Sequence, residues 1–130
     1  MTGLEAAGLY VGLNLLILLV LGLNTSLSRR KHKISLGDGG NDEMLGKMRA
    51  HGNAIEWMPG VLIGLVVLAM MSVPVILIHV FGLLFTLARG AHGYAMSSGD
   101  TRSPGRMIGS VLTLLIYLGM ALTLLYYAIL

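Results

Sequence analysis

Apolar positions in this chain do not alternate with the period of a half-buried strand or mark one stripe of a surface helix. They dominate four runs, each about the width of a bilayer and with few polar interruptions, separated by short polar stretches. A hydrocarbon core of about 30 Å takes about 20 helical residues. The runs therefore predict helices over about residues 4–27, 42–71, 74–96 and 104–130. Only Glu5, Tyr10, Asn14, Asn24 and small residues interrupt the first, where Gly8 and Gly12 have the spacing that admits a second helix closely. The second run is longer than the hydrocarbon is thick, so its first turns stand among headgroups. Asn41 is placed to cap it, Asp42 and Glu43 suit its first turn, and Pro59 predicts a kink just after Glu56. Ser72-Val73-Pro74 joins the second and third runs so tightly that they must be antiparallel, with Pro74 at a first helical position. Residues 37–41 and 97–102 read as loops, and Ser103 caps a fourth helix with Pro104 at its first position.

Composition narrows the class. In 130 residues, 55% are hydrophobic and 12% charged, and mean hydropathy is +0.81, which describes one all-α membrane domain rather than a soluble globule. Met1 to Glu5 lacks the basic region of a conventional secretory leader. The absence of cysteine excludes disulfides, thiolate metal sites and a cysteine nucleophile. Histidines and carboxylates have no convincing metal spacing, and residues 37–41 lack the lysine and hydroxyl of a phosphate loop.

The net charge is +3, and its distribution says more than its size. Four spans bring the ends of helices one and three to the same side as the starts of helices two and four. All nine Lys and Arg residues lie there: Arg29, Arg30, Lys31, Lys33, Lys47, Arg49, Arg89, Arg102 and Arg106. The positive-inside rule puts that side in the cytoplasm and both termini outside. Arg29, Arg30, Lys31 and Lys33 then read as an anchor and topology signal, not as a nucleic-acid footprint. His51 and His79 read as packing residues.

Inside this frame, Arg49, Asn53 and Glu56 sit at offsets of four and seven, on one face of the second helix. Such groups are costly in hydrocarbon, so Glu56 is expected to pair with Arg49 or with an arginine from another helix. Arg89 and His92 near the end of the third helix, and Arg106 on a face with Ser110, Thr113 and Tyr117, fall at similar depth. Converging guanidinium groups favour carboxylates, and an arginine beside a thiol favours the thiolate. Trp57 and Tyr94 also suit an interfacial aromatic belt.

Gly37-Asp38-Gly39-Gly40-Asn41, then Arg49-Ala50-His51-Gly52-Asn53-Ala54-Ile55-Glu56 with Pro59, and Arg102-Ser103-Pro104-Gly105-Arg106 at the fourth helix, resemble the MAPEG family (membrane-associated proteins in eicosanoid and glutathione metabolism). The likeness covers nearly the whole chain and is closest to small bacterial members. It implies a homotrimer of four-helix bundles in the inner membrane, with glutathione as co-substrate bound between subunits near the cytoplasmic face. On that pattern Arg49, Asn53, Glu56, Arg89, His92, Tyr94 and Arg102 would hold glutathione, and Arg106 would stabilise its thiolate. The implied activity is a glutathione transferase or peroxidase acting on lipophilic electrophiles or hydroperoxides, a detoxification role without a metal. Gly52 stands where many eukaryotic members carry arginine. A non-catalytic lipid-binding or scaffolding protein on the same fold is the alternative reading. A small multidrug-type exporter is remote, since such exporters usually place their glutamate in the first helix.

Overall fold

The computed structural model describes residues 1–99 and 102–130. Four helices follow one another: α1 (Gly3–His32), α2 (Asp42–Met70), α3 (Val75–Ser97) and α4 (Pro104–Ile129). Each is long and apolar enough to cross a membrane. Neighbours in sequence pack against each other, α1 also packs on α3 and α2 on α4, while α1 and α4 do not meet among the described residues.

Local chemistry sets the boundaries. Thr2 accepts from the Glu5 amide at 3.2 Å, and the Glu5 carboxylate accepts from the Thr2 amide at 2.7 Å. This reciprocal capping box, T-x-x-E, starts α1. α1 also continues five residues past the expected end at Leu27, because Arg29, Arg30, Lys31 and His32 complement the negative end of the helix dipole. Lys33 then closes it in the left-handed region, φ 55°. Asn41 caps α2 as expected, its Oδ1 accepting from the Met44 amide at 2.9 Å. Ser103 caps α4, with Pro104 opening it. Pro74 does not take the first helical position; it is the N-cap residue, one place earlier than expected. α2 runs without a break through Pro59.

The core is built from small residues and thin polar bridges. Ala6, Ala7, Ala50, Ala54, Leu65, Ile78 and Phe85 are fully buried. Gly109 is where α4 comes closest to α3: a β-carbon there would meet the Ala88 carbonyl at 2.6 Å and the His92 β-carbon at 2.8 Å. Gly8 and Gly12, expected to admit a neighbouring helix, instead have nothing within 4 Å of where a β-carbon would be. They face away from the other three helices. Between α1 and α3, Asn14 is fully buried and donates to the Tyr10 carbonyl (2.9 Å) and to Thr86 Oγ1 (2.8 Å). The Tyr10 hydroxyl meets His79 Nδ1 at 2.8 Å. His79 is thus held within the packing, as its isolation from the basic end suggested. His51 likewise packs against Gly22 of α1.

Candidate functional site

The ends of α1 and α3 and the starts of α2 and α4 share one side of the bundle, and the basic residues gather there. They do different things. Arg29 donates to the Gly37 carbonyl at 2.9 Å and reaches Met48 Sδ at 3.5 Å, bracing the glycine-rich loop against α2. Glu43 receives Lys47 at 2.7 Å, Lys31 at 2.9 Å and His32 at 3.0 Å. These pairs are exposed and contribute little to stability, but they tie the end of α1 to the start of α2.

Arg89 is the centre of the remaining group. It sits two turns from the end of α3, is 1% exposed, and donates from Nη2 to Asn53 Oδ1 of α2 at 2.7 Å. The same nitrogen lies 3.4 Å from His92 Nδ1, one turn further along α3. Among the described residues, Arg89 Nε has no hydrogen-bond partner. Beside this pair is a cavity of about 190 Å³ lined by Asn53, Trp57, Arg89, Ser110, Thr113 and Leu114. Tyr117 closes α4 against α2 by donating to the Trp57 carbonyl at 2.6 Å, with the two rings edge to face at 5.2 Å.

Ser110 also borders a second, more open groove of about 500 Å³ on α4, shared with Arg102, Ser103, Arg106, Met107 and Val111. Arg102, just before the cap of α4, and Arg106 in its first turn therefore stand at the basic end of a strip that turns apolar along the helix. Arg49, expected beside Asn53 and Glu56, lines a separate recess of about 570 Å³ between the start of α2 and residues 96–99 at the end of α3. Asp42 and Glu43 border the same recess.

The expected pairing of Glu56 is not made. Among the described residues neither Glu56 nor Arg49 takes part in an ion pair, and Glu56 is exposed on the outside of the bundle. Seven residues separate the two by about 10 Å of helix rise, and Arg89 is turned toward Asn53 instead. Tyr94 is 77% exposed and lines a groove between α1 and α3 with Leu16, Ile17, Val20 and Asn24, away from the Arg89 cavity.

The sites thus separate into three. Asn53, Arg89 and His92 are brought into direct contact, and Arg102 and Arg106 share the adjoining groove. Arg49, Glu56 and Tyr94 face elsewhere on the single protomer. Trp57, whose place in the sequence suits only an interfacial belt, walls the cavity. Its position one residue past Glu56, on the flank of the polar stripe, was the available signal. The shared face of Arg106, Ser110, Thr113 and Tyr117 was legible as a spacing of three and four.

Comparison with known proteins agrees with this architecture. The chain is 27% identical over 88 residues to the inner membrane protein YecN of Escherichia coli K12, and equally to YecN of the CFT073 strain, covering 68% of this chain and 67% of the relative. No solved structure matches. The four spans and these relatives make it a multi-pass inner membrane protein. The family model for MAPEG matches residues 7–126, nearly the entire bundle, and the chain belongs to the MAPEG family.

Proposed function

We propose that this protein is a glutathione-dependent transferase or peroxidase whose reaction takes place at the membrane boundary on the basic side of the bundle. The observation that carries the reading is the α4 groove. Arg102 and Arg106 supply positive charge at its polar end, and Met107 and Val111 continue it as an apolar strip on a membrane-spanning helix. Such a groove suits an anionic, water-soluble partner at one end and a lipophilic one at the other.

In this reading Arg106 favours the ionised form of the glutathione thiol by placing a fixed cation beside the sulfur. The thiolate attacks the electrophilic carbon, a C–S bond forms, and the leaving group or the adjacent carbon takes up the charge. With a hydroperoxide the thiolate attacks oxygen and the O–O bond breaks. A second glutathione then completes the reduction, giving the alcohol, water and glutathione disulfide. Arg49, Asn53, Glu56, Arg89, His92, Tyr94 and Arg102 are the proposed contacts for the rest of the peptide.

Among the described residues, Arg49 and Glu56 are exposed and take part in no ion pair. A charged pair left in that state on a membrane helix supports a ligand, or a second copy of the chain, completing the site. Assembly as a homotrimer, with glutathione held between subunits, satisfies both groups.

The test is glutathione binding by calorimetry with detergent-purified protein, followed by a conjugation assay with a lipophilic electrophile. Saturable binding abolished by Arg49→Ala, and turnover lost in Arg106→Ala, are expected. Binding without turnover by the unaltered protein favours the second reading, a lipid-binding or scaffolding protein. That reading draws on the apolar groove between α1 and α3 where Tyr94 lies.

A further inference from the structure

The glycine-rich loop between α1 and α2 is built rather than slack. Lys33 turns the chain into the left-handed region, and the Ile34 amide returns to the Arg29 carbonyl at 3.0 Å. Gly37, Gly39 and Gly40 take φ of 67°, 61° and 71°, values that favour glycine. Arg29 holds the Gly37 carbonyl at 2.9 Å, and Asp38 Oδ1 accepts from the Gly40 amide at 2.9 Å. Ile34 is tucked against the turn, since a β-carbon on Gly39 would meet its Cδ1 at 2.9 Å. Leu36 is not: it is 89% exposed, on a loop beyond the apolar run of α1.

A single open leucine is ordinary, but the charges around this one are unevenly spent. Arg29 is committed to the loop and Lys31 to Glu43 at 2.9 Å. The acidic groups are occupied as well. Glu43 receives Lys31, His32 and Lys47, Asp38 is used within the turn, and Asp42 borders the recess between α2 and α3. Arg30 and Lys33 remain, both exposed, with no side-chain partner among the described residues. Their offset of three sets them on one side of the last turn of α1.

The height of these residues matches the lipid headgroups. From Leu27, the last residue of the apolar run, six residues of helix rise about 9 Å to Lys33. The headgroup layer adds about 5–8 Å beyond the hydrocarbon on each side. Long basic side chains reach back into it from there, and the cytoplasmic leaflet carries the negative surface potential that attracts them.

We propose that Arg30, Lys33 and Leu36 form a docking surface for anionic phospholipids of the cytoplasmic leaflet. The two free cations pair with headgroup phosphates, and Leu36 enters between the headgroups toward the acyl chains. The partner is the lipid surface and not a soluble anion, because the leucine gains only from an apolar neighbour. The basic cluster is thus divided: Arg29 and Lys31 brace the protein, while Arg30 and Lys33 face lipid. None of the three docking residues belongs to the proposed glutathione contacts, so the inference stands apart from the transferase reading.

The chain has no cysteine, so Ser35→Cys, at an exposed position beside Leu36, accepts a single environment-sensitive fluorophore. The labelled full-length protein is placed in nanodiscs of phosphatidylcholine with increasing phosphatidylglycerol, and quenching by acrylamide, a neutral solute, is measured. Phosphatidylglycerol is expected to shift the emission to the blue and reduce quenching, and high salt to reverse both. Arg30→Gln or Lys33→Gln alone raises the phosphatidylglycerol content needed for half the response about fivefold, the equivalent of ~1 kcal/mol per cation near the surface. The double variant loses the response, and Leu36→Gln reduces the protection from acrylamide. Lys31→Gln, whose cation is already spent on Glu43, keeps the response.

Equal quenching in both lipids overturns the proposal, as does a phosphatidylglycerol response that survives loss of both Arg30 and Lys33. A response abolished equally by Lys31→Gln overturns it too, by showing a general effect of net charge. A full response to soluble glycerol phosphate in phosphatidylcholine nanodiscs replaces the lipid surface with a free-anion site.

Discussion

Removing the Asn53 side-chain oxygen leaves the buried Arg89 guanidinium with no close acceptor, and this is the sharpest perturbation the bundle offers. Asn53→Leu keeps roughly the same volume and deletes the 2.7 Å hydrogen bond to Nη2. Hydrogen bonds to charged groups are worth about 1.5–3 kcal/mol. His92 Nδ1 at 3.4 Å recovers only part of that. A loss of about 2–3 kcal/mol is therefore expected for Asn53→Leu, below neutral interhelical bonds in cost by no measure, since those average about 0.6 kcal/mol in membranes. Arg89→Met behaves differently, because it removes the charge that needed compensation. Exchange of a buried ionic group for an apolar one of similar volume is often neutral or stabilising. The assay is reversible unfolding in mixed micelles of both single variants and the double variant. The double variant should resemble Arg89→Met, giving a coupling of about 2 kcal/mol between the two positions. An Arg89→Met variant as unstable as Asn53→Leu, or purely additive effects, would refute the reasoning that the cation is under-compensated.

Three further outcomes test the helix contacts. Gly109→Ala sets a β-carbon against the Ala88 carbonyl at 2.6 Å and His92 at 2.8 Å, so overpacking of about 1–3 kcal/mol is expected in the same unfolding assay. Gly8→Ala, with nothing within 4 Å, should leave stability unchanged or raise it by up to about 1 kcal/mol through helix propensity. Tyr117→Phe deletes the 2.6 Å bond to the Trp57 carbonyl and should cost about 0.5–1.5 kcal/mol, with a change in Trp57 emission as the ring contact loosens.

The caps show where sequence reasoning is strong. Asn41, Ser103 and Pro104 act within three residues of their own positions, and each did what its type and place predicted. Thr2 and Glu5 carry an equally local signal that the reading of the apolar run passed over. The apolar run alone predicts the end of α1 at Leu27, five residues short of His32, because the basic cluster breaks the run without breaking the helix. A membrane helix can continue into the headgroup layer, where cations in its last turn are favourable. The site was legible in part. The spacing of Asn53 on α2 and of Arg89 and His92 on α3 marked the residues that now touch. Which of the flanking charges would join them was not legible from spacing alone.

What the chain determined by itself is the count, length and direction of its spans and the side that carries the cations. These follow from the cost of burying backbone and charge in hydrocarbon, a cost that depends on how many apolar residues stand in a row. Only the tertiary structure decided which face of each helix turns inward. In a soluble helix the water-facing side is polar and betrays the core side; here leucines cover both the lipid-facing and the protein-facing surfaces, so the usual contrast is absent. The choice fell to close packing of small residues and a few polar bridges between helices. That is why Gly109 meets α3 while Gly8 and Gly12 face outward, and why Arg89 found Asn53 and left Glu56 exposed on the outside of the bundle.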